Sequence, residues 1–136
     1  MQSKTVVNYN YLANEDIHEF IFAEAGRVGT DEYIAFIYEI YEQHLKDKPH
    51  MLAILDIHKS GMLPVKYASL IMEKTFKELT PFPKPYIAYL SNDSSDQALI
   101  GIMDYTASTK VDRLCFPLDK RDLAIEWLVE KRNLSL

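Results

Sequence analysis

The chain has 136 residues, of which 48% are hydrophobic and 26% charged, and its formal net charge is −5. These values exclude disorder over the whole chain, and the acidic balance argues against nucleic acid or an anionic membrane surface as the main partner. A chain of this length buries roughly two thirds of its unfolded surface, so its core needs no disulfide or metal staple. The single Cys115 also excludes an intramolecular disulfide and a multi-cysteine zinc site.

The N-terminal run MQSKTVVNYNYLANED lacks the basic stretch and apolar core of a secretory signal. No window approaches the roughly 18 apolar residues that span a bilayer. The expectation is a cytoplasmic protein with no transmembrane segment.

The first elements read as a hairpin. Residues 5–12, TVVNYNYL, are rich in β-branched and aromatic side chains. The polar turn ANED follows, then a second strand-like run over 17–24, with Gly26 and Gly29 as punctuation. Thr30 is a candidate N-cap, with Asp31 and Glu32 complementing the helix dipole. Tyr33, Ile34, Ile37, Ile40, Tyr41 and Leu45 recur at helical spacing, and Pro49 forbids continuation.

The run MLAILDI over 51–57 is almost wholly apolar, as expected of a strand covered on both faces. His58-Lys59-Ser60-Gly61 turns the chain, and Pro64 opens a second helix carrying Val65, Ala68, Ile71, Met72, Thr75 and Leu79. A proline-rich connection leads to the strand YIAYL over 86–90. Ser94 and Gln97 have capping-box spacing before a helix expected over 96–106. That helix is apolar on most sides, through Ala98, Leu99, Ile100, Ile102 and Met103, which suggests deep burial or a partner surface. A last strand over 113–118 ends near Pro117 at a sheet edge, with Cys115 as a buried thiol. Asp119 is expected to cap the final helix, whose Trp127 and Leu128 face the core alongside Ile54 of the central strand.

The order is β-β-α-β-α-β-α-β-α. It predicts an α/β fold with a mixed, mostly parallel sheet of about five strands and four helices, joined by right-handed crossovers, over residues 1–136 as one domain.

This order, the stretch Ala53-Ile54-Leu55-Asp56-Ile57 leading into a helix, and the C-terminal stretches KPYIAYLS, LCFP and AIEWL resemble the STAS or SpoIIAA-like domains. Anti-sigma-factor antagonists share that topology. The resemblance covers nearly the whole chain and implies a small regulatory domain. One departure bears on function. The antagonists carry a phosphorylated serine at the start of the helix after the Asp-bearing strand, whereas this chain reads Met62-Leu63-Pro64-Val65 there, and Ser60 lies too early. Without an acceptor hydroxyl, phosphate cannot switch an interface on that helix.

In an open α/β sheet, ligands favour the loops at the carboxyl ends of parallel strands. Those loops supply Asp56, His58 and Ser60 after one strand, and Ser91, Ser94 and Ser95 after the next. These six residues are the candidates for contact with a ligand or partner. Helix starts nearby would favour an anion, although capping and turn anchoring account for the same residue types. Asp56 could accept phosphate in a receiver domain, but an opening hairpin replaces that fold's first βα unit. The histidines at 18, 44, 50 and 58 form no i, i+4 pair and no HExxH pattern, so no metal site is signalled. No P-loop, GxSxG or GxGxxG occurs, so the chain offers no motif for a nucleotide cofactor or a serine nucleophile.

The expected function is a non-enzymatic regulatory or protein-interaction domain, acting on a protein partner or by self-association as a homodimer. The alternative is a carrier of a small apolar molecule or lipid, lined by the abundant Tyr, Phe and Met side chains. An enzyme centred on Asp56 and His58 is the third reading.

Overall fold

The computed structural model describes residues 5–106 and 111–134, and side chains in the third helix only as far as Gly101. β1 (Val7–Leu12) and β2 (Ile17–Phe22) pair antiparallel as the expected hairpin. β3 (His50–Asp56), β4 (Lys84–Leu90) and β5 (Asp112–Phe116) then add in sequence, each parallel to its neighbour, giving the order β1-β2-β3-β4-β5. The helices are α1 (Arg27–Ile40), α2 (Val65–Glu78), α3 (Ser94–Thr106) and α4 (Arg121–Leu134).

This topology follows from the alternation of apolar side chains. Phe20 and Phe22, Ala53 and Leu55, and Ile87 and Tyr89 point to one face of the sheet and form a core with Tyr33, Ile34 and Ile37 of α1 and Ile100 of α3. Ile17, Leu52, Ile54, Tyr86, Ala88 and Leu90 point the other way and pack on Ala124 and Leu128 of α4. The central strands are buried on both faces, which is why they read as unbroken apolar runs. Parallel strands laid down in sequential order with crossovers of one hand place all connecting helices on the same side. Only α4, which follows the last strand, is left to cover the opposite face.

Several local expectations are corrected. α1 starts at Arg27 after Gly26, and Thr30 lies inside it, its hydroxyl donating to the Gly26 carbonyl at 3.0 Å. Glu32 does not serve the helix end either, because its carboxylate accepts the backbone N–H groups of Val6 and Val7 at 2.9 and 3.1 Å and pins the strand entry to α1. α1 continues into a π-turn over Tyr41–Leu45, which periodicity alone does not reveal.

α3 starts at Ser94, and it is Asp93 whose carboxylate accepts the Ser95 N–H at 2.8 Å. Ile102 and Met103 lie outside the described side chains. Asp119 falls in a short 3₁₀ turn, Leu118–Lys120, before α4. The Leu118 N–H is taken by Asn92 of the neighbouring loop at 2.9 Å, a cap supplied across the fold rather than along it. Trp127 is only partly buried, packing on Phe116 with ring centroids 6.0 Å apart, whereas Ile54 is fully enclosed. Cys115 is likewise half-buried, and desolvation raises the pKa of its thiol.

Candidate functional site

The carboxyl ends of β3 and β4 carry the residues expected to contact a ligand. Asp56 sits at the last position of β3 and is 8% exposed. Its Oδ1 accepts the His58 backbone N–H at 3.2 Å and also meets His58 Nδ1. The pair therefore closes on itself and shapes the turn after the strand. Ser60 donates to the Gly61 carbonyl at 2.8 Å. Gly61, at φ 76°, supplies the left-handed residue that lets this loop reverse.

The second group forms its own network. Ser91 is buried; its hydroxyl donates to Asp96 Oδ2 at 2.8 Å and accepts the Asp93 N–H at 3.1 Å. Ser95 is exposed and bonds to Asp93 through both its backbone N–H and its hydroxyl, and these bonds hold the Asp93 carboxyl below the usual range. Ser94 is exposed at the first turn of α3. Among the described hydrogen bonds, the partners of Asp56 and His58 and those of Ser91, Ser94 and Ser95 do not overlap. The two loops are adjacent in the fold but form separate networks.

Sequence reasoning did not anticipate a charged pair on the α4 face. Glu19 of β2 has its side chain 5% exposed, and Arg121 at the start of α4 donates to it from Nε at 2.9 Å. The carboxylate raises the pKa of Arg121 further, and Asp56 adds a smaller contribution of the same sign. A buried acid in an alternating strand is the signal that could have indicated a basic partner.

A further feature lies on the opposite face. α2 makes its closest backbone approaches to α1 rather than to the sheet. Beneath it is a cavity of about 560 Å³. Leu55 and Ile87 form its floor on the sheet, the loop residues Met62 and Leu63 close one side, and Met72 and Phe76 of α2 form the roof. Of the apolar residues of α2 that face inward, Ala68, Ile71, Met72 and Phe76 are only partly buried, so the helix does not seal against the strands.

Polar groups line the same space, Tyr33 and Arg113 among them. Tyr33 of α1 is 3% exposed, and its hydroxyl has no hydrogen-bond partner among the described residues. Burial raises the Tyr33 pKa, with a further push from Tyr89 and an opposing pull from Arg113. Arg113 projects from β5 into the wall, opposite Ile87 in register. Glu73 and Lys77 stand at the outer rim and pair with each other at 3.4 Å, both well exposed.

α2 is tied to α1 by surface contacts near both ends. Tyr67 donates to Asp31 at 2.5 Å under the Arg27 guanidinium, and Tyr38 donates to Glu78. Contacts this exposed are screened by water and contribute little. The roof is thus held more weakly than the rest of the helical layer. The inward hydroxyl of Tyr33 and a charge in the otherwise apolar stretch Arg113-Leu114-Cys115-Phe116 were the available hints; neither identifies a cavity without the stand-off of α2.

No family model matches this chain, and no curated protein matches it. Among solved structures it is similar to an uncharacterised protein of the DUF3478 family with a SpoIIAA-like fold, from Shewanella loihica PV-4. That similarity covers 94% of this chain and 98% of the other, at 16% identity and a TM-score of 0.64. The element order and the mixed sheet agree with it, and the chain has a SpoIIAA-like fold. Among the described residues no helix is long and apolar enough to cross a membrane, and no group of three His, Cys, Asp or Glu side chains could hold a metal ion.

Proposed function

We propose that this protein binds a small, mainly apolar molecule in the cavity between α2 and the sheet. The observation that carries the reading is an apolar space of about 560 Å³ under a helix that leaves its own inward side chains half-covered. Protein interiors pack to crystal-like density, so an unfilled apolar space of this size costs dispersion contacts that a ligand would restore. The size also falls within the range typical of small-molecule sites, roughly 300–1,000 Å³.

A regulatory domain that acts on a protein partner is the reading the fold class suggests, and bound ligand could set the position of α2 for such a partner. The Asp56–His58 pair supports a turn anchor better than a catalytic dyad, because each group already satisfies the other.

The test uses a neutral apolar fluorophore, N-phenyl-1-naphthylamine, with the wild-type chain and Ala68→Phe, which fills the cavity from α2. Saturable one-to-one binding that Ala68→Phe abolishes, with an unchanged circular dichroism spectrum, supports the reading. Absence of binding, or binding indifferent to Ala68→Phe, refutes it. Native mass spectrometry followed by denaturing extraction reports any molecule that the purified chain retains.

A further inference from the structure

We infer that Tyr33 is the polar anchor of this cavity, its hydroxyl donating to the uncharged carbonyl oxygen of an otherwise apolar ketone or ester held under α2. This rests on the cavity-binding reading and deepens it by naming the ligand class and the residue that selects it.

The support begins with an unmade hydrogen bond. Tyr33 of α1 is 3% exposed and lines the cavity, and its hydroxyl oxygen has no hydrogen-bond partner among the described residues. Leaving a buried donor unmade is costly, so a hydroxyl enclosed this fully calls for a partner. The ring also fixes where that partner must sit. It stands edge-on to Phe20 with centroids 4.9 Å apart and tilts against Phe22 at 5.8 Å. Rotation of a phenol ring about its own axis leaves the oxygen in place. Burial raises the Tyr33 pKa, with Tyr89 adding to the shift and Arg113 opposing it, so the hydroxyl keeps its proton to donate.

The other polar groups of the described lining are differently placed. Thr80 is exposed and donates to the carbonyls of Phe76 and Lys77 at 2.9 and 3.0 Å. Ser69 is exposed, and Glu73 pairs with Lys77 at the rim. Tyr89 and Arg113 each have interactions of their own, and the seat at Tyr33 needs neither.

The chemistry of a phenol selects the acceptor. It offers a proton but no charge, which suits a neutral oxygen, whereas an ionised head would need an opposite charge as well. A carbonyl accepts without bringing a donor of its own. A ligand hydroxyl or primary amide would carry an O–H or N–H that needs a further acceptor.

The experiment measures displacement of N-phenyl-1-naphthylamine at neutral pH by methyl 2-naphthoate, 2-propylnaphthalene and 2-naphthoate, which share one ring system and differ in the head. The full chain is compared with Tyr33→Phe, which keeps the ring and removes only the oxygen. The ester-to-hydrocarbon affinity ratio should be roughly fivefold higher in the wild type, the scale of one net hydrogen bond. Comparing ratios cancels the difference in how water solvates the two ligands. The ester should also bind the wild type more tightly than 2-naphthoate does. Infrared spectra of the wild-type complex give a readout that does not depend on the variant folding. The ester carbonyl stretch, which lies above the protein's amide band, should fall below its position in hexane, and it should return toward that position in Tyr33→Phe.

Equal ratios in the two chains overturn the inference but leave the cavity reading intact. So does an unshifted ester carbonyl in the wild type, a shift that survives in Tyr33→Phe, or tighter binding of 2-naphthoate. If the fluorophore itself does not bind the wild type, the cavity reading fails and the inference fails with it.

Discussion

His18 should make this protein lose stability in mildly acidic solution. It lies on β2 under the π-turn, 1% exposed, with its ring against Tyr11 and near His44. The Tyr9 hydroxyl lies 2.7 Å from Nδ1, and the Tyr9 pKa is pushed up to about 12, so that hydroxyl keeps its proton to donate. Nε2 is buried with no partner among the described residues. Burial lowers the His18 pKa from 6.5 to about 4; Asp16 opposes the shift, while His44 and Lys48 reinforce it.

Above pH 6.5 the imidazole is neutral in both the folded and unfolded chain, and its contribution to stability is fully present. As pH falls from 6.5 toward 4 the unfolded chain takes up the proton first, and stability is lost across that window. At about 1.4 kcal/mol per pH unit, the separation of 6.5 from about 4 corresponds to a loss on the order of 3 kcal/mol. The assay is urea unfolding at several pH values from 4.5 to 7.5, followed by circular dichroism, on the wild type and His18→Gln. Glutamine can still accept from Tyr9 but does not titrate. The carboxylates common to both chains cancel in the difference. The wild type should lose stability more steeply than His18→Gln between pH 6.5 and 4.5. Parallel curves would refute the burial argument for His18.

Two further predictions concern packing and charge. A Cβ at Gly29 would stand 2.3 Å from the Glu24 carbonyl oxygen, a backbone atom that cannot swing aside, so Gly29→Ala should cost about 1–3 kcal/mol, seen as a lower denaturation midpoint, despite alanine's better helix propensity. Arg121→Met removes the cation from buried Glu19 and should cost about 2 kcal/mol, less than the roughly 3–5 kcal/mol of a fully buried broken pair, because Arg121 itself is 39% exposed. The double variant Glu19→Gln with Arg121→Met should recover part of that loss in denaturant unfolding, which a purely steric role for Arg121 would not produce.

The sequence by itself determined the secondary elements and the layering. Runs such as Met51-Leu52-Ala53-Ile54-Leu55 and Tyr86-Ile87-Ala88-Tyr89-Leu90 can be strands only with both faces covered, and the alternation with helices makes the pairing parallel. These signals are local: each depends on side-chain period and on prolines and glycines within a few residues. The turn at Asp56 and His58 was legible for the same reason, since its partners are two residues apart. Helix ends were less legible wherever the capping group came from elsewhere, as Asn92 does for Leu118 and as Glu32 is drawn away to Val6 and Val7.

Only the tertiary structure decided where the empty space lies. Tyr33 and Arg113 are 80 positions apart in the sequence, and nothing in either segment indicates that they face one cavity. Their meeting depends on the β4–β5 register, on the tilt of α1, and above all on how far α2 stands from the sheet. A pattern of apolar residues specifies that a helix face turns inward, but not the distance at which it comes to rest. That distance is a balance of packing over the whole layer, and here it leaves a space of about 560 Å³ beneath the helix.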